Sequence, residues 1–549
     1  MGLFKVKPLD LLLQEAADSE KGLKKTLTAR SLVALGIGAI IGAGLFSITG
    51  LAAANHAGPS ITISFVIAAV GCAFAGLCYA EFSSMIPIAG SAYTYSFATM
   101  GEFIAWIIGW DLVLEYAVGA ATVSISWSRY LVKYLSYFNI DLGQSFTSSP
   151  YEGGIINLPA VFIVMLMSFI LMRGTKESAF INGIIVLIKV SIVLIFIALG
   201  WQYINPSNLT PYIPENTGEF GSFGFSGIIR SAAIVFFAYI GFDAVSTAAQ
   251  EAKNPKKDMP IGILVSLAIC TVLYILFAHV MTGVANYQLF KGQDGIAPVA
   301  VAIDNMGSIG ADGNVVPDFP WLNKAIILAI LGGYASVIMV MLMGQSRVFF
   351  SMSRDGLVPK VFSEVHDKYR TPARNNFMFM LLVSVFAAFV PATVVGEMTS
   401  IGTLFAFILV CIGVIIMRKN QPDAPRAFKT PLVPLVPILG VFTCLFMMVF
   451  LPLDTWIRLI AWMMIGFDLY LFYGMRHSRL NKEGFSRRSF KTVAYTGMGM
   501  VAGLVVVAFL HYRSIGEMDP LFYFSIIFAL VHVLIYAVGA RQYNKITNK

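Results

Sequence analysis

The sequence predicts an all-α integral membrane protein with 14 transmembrane helices: two inverted five-helix repeats (helices 1–5 and 6–10) with broken helices 1 and 6, plus four extra C-terminal helices. Three observations lead to this fold class. Of the 549 residues, 57% are hydrophobic and only 12% charged, about half the charged share of a soluble domain, and mean hydropathy is +0.77. Apolar runs of about 20 residues, long enough to cross a bilayer, recur along the whole chain. The first and sixth runs are interrupted by glycine, and helices broken at corresponding places in two halves mark an inverted repeat with its site at the membrane midplane.

The first 30 residues carry Lys5, Lys7, Asp10, Glu15, Asp18, Glu20, Lys21, Lys24, Lys25 and Arg30. That is too polar for a secretory signal, so the segment is expected to stay cytoplasmic, with residues 3–16 as a short helix on the bilayer surface. The predicted membrane helices are 31–54, 61–86, 102–130, 156–172, 179–200, 226–249, 260–286, 323–351, 375–392, 398–417, 434–453, 456–474, 492–511 and 520–540. They divide the chain into a cytoplasmic N-terminal segment (1–30), a first repeat (31–200), an outside loop (201–225) and a second repeat (226–417). A cytoplasmic loop (418–433), helices 11–14 (434–540) and a cytoplasmic tail (541–549) follow. With the N-terminus inside, 30 of the 38 Lys and Arg fall on segments assigned to the cytoplasm, as the positive-inside rule requires. One helix more or fewer would invert every later loop and destroy that division. Both termini are therefore predicted to be cytoplasmic, in a multi-pass protein of the inner or plasma membrane. The net charge of +8 has the same cause, and no nucleic-acid partner is inferred from it.

The contents of the runs disfavour several chemistries. Cys72, Cys78, Cys270, Cys411 and Cys444 fall inside apolar runs without metal-ligand spacing and read as small buried hydrophobes. Only His279 and His532 lie well inside membrane runs, with no carboxylate nearby in sequence, which argues against an intramembrane metal centre. No G-x-x-x-x-G-K-[ST] loop occurs, and no loop clusters His, Asp or Ser as an enzyme would. No metal, cofactor or enzymatic activity is predicted. The loops are also too short for the soluble output domain of a sensor.

In the first run Gly36, Gly38, Gly42 and Gly44 occupy four of nine positions. Each costs about 1 kcal/mol relative to alanine in a helix, and non-helical backbone in a membrane survives only against protein or a cavity. A substrate is one partner for the freed groups, and close packing of helices through small residues is the other explanation. The sixth run places Phe236, Phe237, Tyr239, Gly241, Phe242 and Asp243 in mid-membrane. Any one of these aromatics alone reads as packing. Paired with the glycines of the first run, which crosses in the opposite direction, they point to a site.

The glycine-rich run 36–46, the segment 79–93 with Glu81, Pro87 and Gly90, the segment 236–251, and the segments 344–347 and 353–357 together carry a family resemblance. They resemble the amino acid–polyamine–organocation superfamily, and within it the cationic amino acid transporter family and its bacterial relatives, from about Thr28 to the end. Met85 departs from the pattern, since many relatives carry a basic residue there. The resemblance implies a secondary active L-amino acid transporter working by alternating access, with protons and the lipid bilayer as its further partners. Fourteen helices rather than twelve is the subfamily's pattern. Exchange, uniport and sodium coupling stay open as alternatives, as do the choice between cationic and small neutral substrates and the oligomeric state, for which a monomer is one option.

On this reading the N–H groups of Gly42, Ala43 and Gly44 meet the substrate carboxylate at the positive end of the outer half of helix 1. The ammonium meets carbonyls exposed by the two breaks, from Ile40 or Ile41 and from Phe237, Ala238 or Ile240. Phe237 is placed as a lid toward the outside. Lys189 lies about ten residues from either end of helix 5, where a charge costs at least about 2.5–3.5 kcal/mol and burial favours the neutral amine. Relatives with a lysine here are proton-coupled and sodium-independent, and the resemblance implies the same role; a permanent bond to helix-1 carbonyls is the structural alternative. Glu115, in a region that lines the distal pocket in the family, is expected either to meet the substrate side chain or to pair with Arg230 or Lys189. Asp111 reads as structural, Glu81 as a tie at the cytoplasmic gate, and Asp243 as a cap on the second half of helix 6 with a weaker claim to proton coupling.

Overall fold

A bilayer offers a backbone N–H no water to bond, so an apolar chain must satisfy its own hydrogen bonds, and helix dominates the protein. The computed structural model describes residues 2–17, 25, 27–88, 90–173, 175–291, 298–309, 315–367, 369, 371–481 and 484–546. Asp18, Glu20, Lys21 and Lys24 of the polar N-terminal segment, part of the 287–322 connection and residues 547–549 of the tail lie outside the described residues.

Helix α1 is Leu9–Ala17 and α2 is Ala29–Ile40, followed after a break by helical backbone that includes α3, Thr49–Ala52. Then come α4 (Ile61–Met85), α5 (Ser91–Thr99), α6 (Glu102–Ser136), the single turn α7 (Gln144–Thr147), α8 (Leu158–Arg173) and α9 (Thr175–Gly200). A second broken stretch is formed by α10 (Gly224–Val235) and α11 (Ala244–Thr247). It leads to α12 (Pro255–Val284), α13 (Pro298–Asp304), α14 (Pro320–Arg354), α15 (Ala373–Phe389) and α16 (Ala392–Asn420). The chain closes with α17 (Leu435–Val449), α18 (Leu453–Leu469), the turn α19 (Met475–His477), α20 (Arg487–Ile515) and α21 (Pro520–Ile546). Among the described residues the only strands are Gly307–Ile309 and Val315–Pro317, an antiparallel pair with Ser308 opposite Val316.

Ten stretches among the described residues are long and apolar enough to cross a membrane: Ala29–Met85, Glu102–Ser136, Asn182–Tyr203, Gly224–Thr247, Pro255–Val284, Pro320–Arg354, Met398–Asn420, Leu453–His477, Arg487–Ile515 and Pro520–Val538. Helices α8, α15 and α17 are apolar but shorter. Large apolar side chains such as Val66, Phe162, Leu187, Val506 and Leu534 stand exposed on the periphery. A water-soluble monomer avoids such a surface, and lipid requires it.

Helix α6 is central, packed along α14 and α16, while α12 lies against both α2 and α4. Helices α20 and α21 pair with each other and reach the rest mainly through α18. At the end of α4, Glu81 accepts from Arg418 Nε and Nη2 at 2.8 and 2.9 Å, from Arg426 Nε at 3.1 Å and from the Thr430 N–H at 2.8 Å. The carboxylate thereby ties α4 to α16 and to the loop after it.

The N-terminal segment differs from the expected surface helix over 3–16. Only Leu9–Ala17 is helical; Leu3 and Phe4 form a turn, residues 5–7 are irregular, and Leu3 and Leu12 are buried in protein. The physical reason is competition: backbone groups of residues 3–7 find partners on α5 and at the start of α6, which a helix lying on the bilayer would not offer.

Candidate functional site

Helix α2 ends at Ile40 because Ile41 turns extended (φ −73°, ψ 103°) after donating to the Ile37 carbonyl. Helical backbone resumes as a wide π-turn over Gly44–Ile48, its first bonds running from Leu45 and Phe46 N–H to Gly42 O, each 3.1 Å. The N–H groups of Gly42, Ala43 and Gly44 thus stand at a helix start, where no preceding helical carbonyl is placed to receive them. The second break has the same character: α10 gives way to a tight turn, Phe236–Tyr239, then Ile240 is extended and Gly241 takes φ +119° before α11.

The two breaks cross in direct contact. A Cβ on Gly44 would run into the Ala238 backbone, and one on Gly241 would sit 2.8 Å from the Ala39 Cβ. Glycine at these two positions is therefore required by the approach itself.

Two side chains hold the crossing. Lys189, fully buried on α9, donates to the Gly38 and Ile41 carbonyls at 2.6 and 2.8 Å. Tyr274 on α12 places its hydroxyl 2.7 Å from the Ile40 carbonyl and 2.8 Å from the Ala238 carbonyl, bridging both breaks. The sequence reading did not single out Tyr274. Its hydroxyl is one of several in this apolar helix, with Ser266, Thr271 and Thr282, and only the fold puts it beside both breaks.

Between the breaks lies a narrow, nearly closed cavity of about 10 Å³ lined by Ala39, Ile40, Gly42, Ala43, Gly44 and Phe237, with Ile240, Gly119, Val123, Val337 and Met341 completing its wall. A wider vestibule leads away toward Ser47, Asn55, His56 and Arg129, with Phe237 shared between the two spaces. Of the residues expected to bind substrate, Ile40, Gly42, Ala43, Gly44, Phe237 and Ile240 line the cavity; Ile41 and Ala238 lie at the breaks with their carbonyls bonded to Lys189 and Tyr274.

Glu115 is one turn beyond Gly119 on α6 and is not part of the cavity wall. Neither expected cation reaches it: Lys189 is bonded to helix-1 carbonyls, and Arg230 packs on Gly221. Thr403 is near, but its hydroxyl donates to the Thr399 carbonyl at 3.0 Å. Asp111 lies against Gly402 of α16, buried without a hydrogen-bond partner. Asp243 does not cap α11 as expected. Its backbone is already helical, and its carboxylate turns back to accept from the Gly241 N–H (3.1 Å) and the Tyr116 hydroxyl (2.6 Å), securing the break rather than the helix end. His532, without a carboxylate near in sequence, meets Asp468 of α18 at 3.1 Å.

Residues 27–469 match the amino acid permease family. The chain belongs to this family. A branched-chain amino acid permease, BcaP, of Bacillus subtilis is 44% identical to this permease over 484 residues, covering 87% of this chain and 99% of the relative. The methylthioribose transporter of the same organism is 42% identical over 482 residues, with the same coverage. A vacuolar cationic amino acid transporter of Arabidopsis thaliana is 32% identical over 407 residues, 74% of this permease and 65% of the relative. The matched stretch in the permease begins at the foot of α2 and ends at the last residue of α18, so both breaks, Lys189 and Tyr274 fall within it.

Proposed function

We propose that this permease is a secondary active transporter of L-amino acids with neutral aliphatic side chains, working by alternating access. The observation that carries the reading is the crossing of two interrupted helices over one cavity, with unpaired N–H groups on one side and carbonyls on the other. The N–H groups of Gly42, Ala43 and Gly44 suit a carboxylate. The carbonyls of Ile40, Ile41, Phe237, Ala238 and Ile240 suit an ammonium, because a carbonyl that already accepts one bond keeps a second lone pair. Around the side chain the wall is Val123, Val337 and Met341 with no charged residue, a setting that favours aliphatic groups and leaves a cationic one unpaired. The branched-chain permease among the relatives agrees with this.

Lys189 is the proposed coupling residue. Its ammonium bonds two carbonyls at the break, so gaining or losing a proton there changes how the substrate-bearing backbone is held. One proton moving inward supplies about 2.3 kcal/mol per 100 mV. The proposed topology has fourteen crossings, with inverted repeats over 31–200 and 226–417 and both termini cytoplasmic. The division of basic residues supports it, as do helices at each apolar run.

Purified permease in proteoliposomes, given a panel of radiolabelled substrates under an inward proton gradient, tests the reading. Isoleucine, leucine or valine should accumulate, collapse of the gradient should abolish accumulation, and arginine should compete poorly. Arginine uptake exceeding leucine uptake would refute the aliphatic assignment. Methylthioribose belongs in the panel because a relative of nearly equal identity carries that name; its uptake without any amino acid uptake would overturn the proposal.

A further inference from the structure

A π-turn closes with a bond one residue longer than an α-turn's, survives only in short pieces and is often found at functional sites. The outer half of the first broken helix opens on one, Gly44–Ile48, where the Thr49 N–H and the Thr49 hydroxyl both donate to the Gly44 carbonyl, the hydroxyl at 2.8 Å. Two tyrosines from other helices grip this turn. Tyr130 of α6 donates its hydroxyl to the Phe46 carbonyl at 2.6 Å, and the hydroxyls of Ser47 and of Tyr334 on α14 lie 2.8 Å apart. Both rings are fully buried and stand edge to face with centroids 5.6 Å apart, and the Phe46 ring leans on Tyr334 at 6.2 Å. The same two helices complete the cavity wall, with Gly119 and Val123 from α6 and Val337 and Met341 from α14. On the other side of Gly42–Gly44, Lys189 and Tyr274 hold the carbonyls of Gly38, Ile40 and Ile41. The segment offered to a substrate carboxylate is therefore clamped at both ends.

The register of the turn sets where the N–H groups before it point. One residue of α-helix is about 100° of rotation and about 1.5 Å of rise. Taking the extra residue out of the turn would swing Gly42, Ala43 and Gly44 by about that angle around the helix axis, relative to Phe46 and Ser47, and turn their N–H groups away from the cavity. The α register is the ordinary one, and the side chains from other helices that hold the wider one meet it at Phe46 and Ser47. We propose that Tyr130 and Tyr334 are positioning residues for the substrate carboxylate: they keep the π register, and the register keeps the N–H groups of Gly42, Ala43 and Gly44 aimed into the site. The inference rests on the transporter reading, in which a carboxylate meets those groups.

The test is equilibrium binding of radiolabelled leucine to full-length permease, competed by unlabelled leucine or by 3-methylbutylamine, which keeps the ammonium and the aliphatic chain and lacks only the carboxylate. Tyr130→Phe and Tyr334→Phe should each weaken leucine binding about tenfold, the scale of one lost hydrogen bond. The inhibition constant of the amine should stay within twofold of the parent's, so that discrimination between the two ligands falls by the same factor. Damage of a merely structural kind would weaken both ligands alike. Ser47→Ala cuts the second tie from the helix side without touching either ring, and it serves if a tyrosine variant fails to fold. Leucine affinity within twofold of the parent in the folded variants, or an equal loss for leucine and amine, would overturn the assignment. A parent that binds neither ligand would defeat the transporter reading and this assignment with it, a result distinct from any seen only in the variants.

Discussion

Tyr274→Phe is the sharpest probe of the site because it removes one atom from a fully buried ring and changes nothing of its shape. The hydroxyl has a single proton to share between two carbonyls, Ile40 O at 2.7 Å and Ala238 O at 2.8 Å. Without it, two buried acceptors that belong to different broken helices face a phenyl edge. A buried polar group left unsatisfied costs about 1–3 kcal/mol. If that penalty is borne by the substrate-competent crossing, affinity should fall roughly 5- to 150-fold, at about 1.4 kcal/mol per tenfold. Equilibrium binding of radiolabelled leucine to detergent-purified protein measures the effect, with a thermal melt to separate lost affinity from lost fold. A variant that binds leucine within twofold of the parent while melting normally would show that the two breaks are not held together through this hydroxyl.

Other substitutions follow from the same geometry. Gly44→Ala forces a methyl into the Ala238 backbone; overpacking of this kind costs about 1–3 kcal/mol, and leucine binding should fall to a small fraction of the parent's in the same assay. Lys189→Ala should lose uptake driven by a proton gradient while exchange of internal for external substrate persists, and gradient-driven accumulation equal to the parent's would remove Lys189 from coupling. Glu115→Gln should leave KM for aliphatic substrates within about twofold, as for a site without direct contact, because Glu115 stands outside the cavity wall; a large change in side-chain selectivity would return it to the pocket. Arg426→Met strips one partner from the buried Glu81 carboxylate and should lower the melting temperature, whereas a substrate-contact role would appear as a change in KM instead.

Much of this permease was determined by its sequence alone, for a reason peculiar to membranes. Lipid permits few backbone solutions, so apolar runs of a given length had to become helices, and those predicted here fall on helical backbone. The basic residues, expensive to move across a bilayer, carry the orientation reading in their loops. The two interruptions were visible because glycine is costly inside a helix and nothing in lipid repays it, and the run around Gly42 and Gly44 does border the cavity. What the sequence left undecided were relations between distant residues. Whether Glu115 meets the substrate, an arginine or neither depends on how α6 is rotated against α16, and no periodicity encodes that. Asp243 read as a helix cap because local rules favour a carboxylate there, yet Tyr116, from a different helix, gave it a better partner at the break. Nothing in the sequence marks Tyr274, and only the packing of α12 brings its hydroxyl between Ile40 and Ala238. The N-terminal residues looked like a surface helix until α5 and α6 offered their backbone groups partners. Local composition dictated where the chain must bend and cross, and only the packing of one helix on another decided which polar groups meet in the middle.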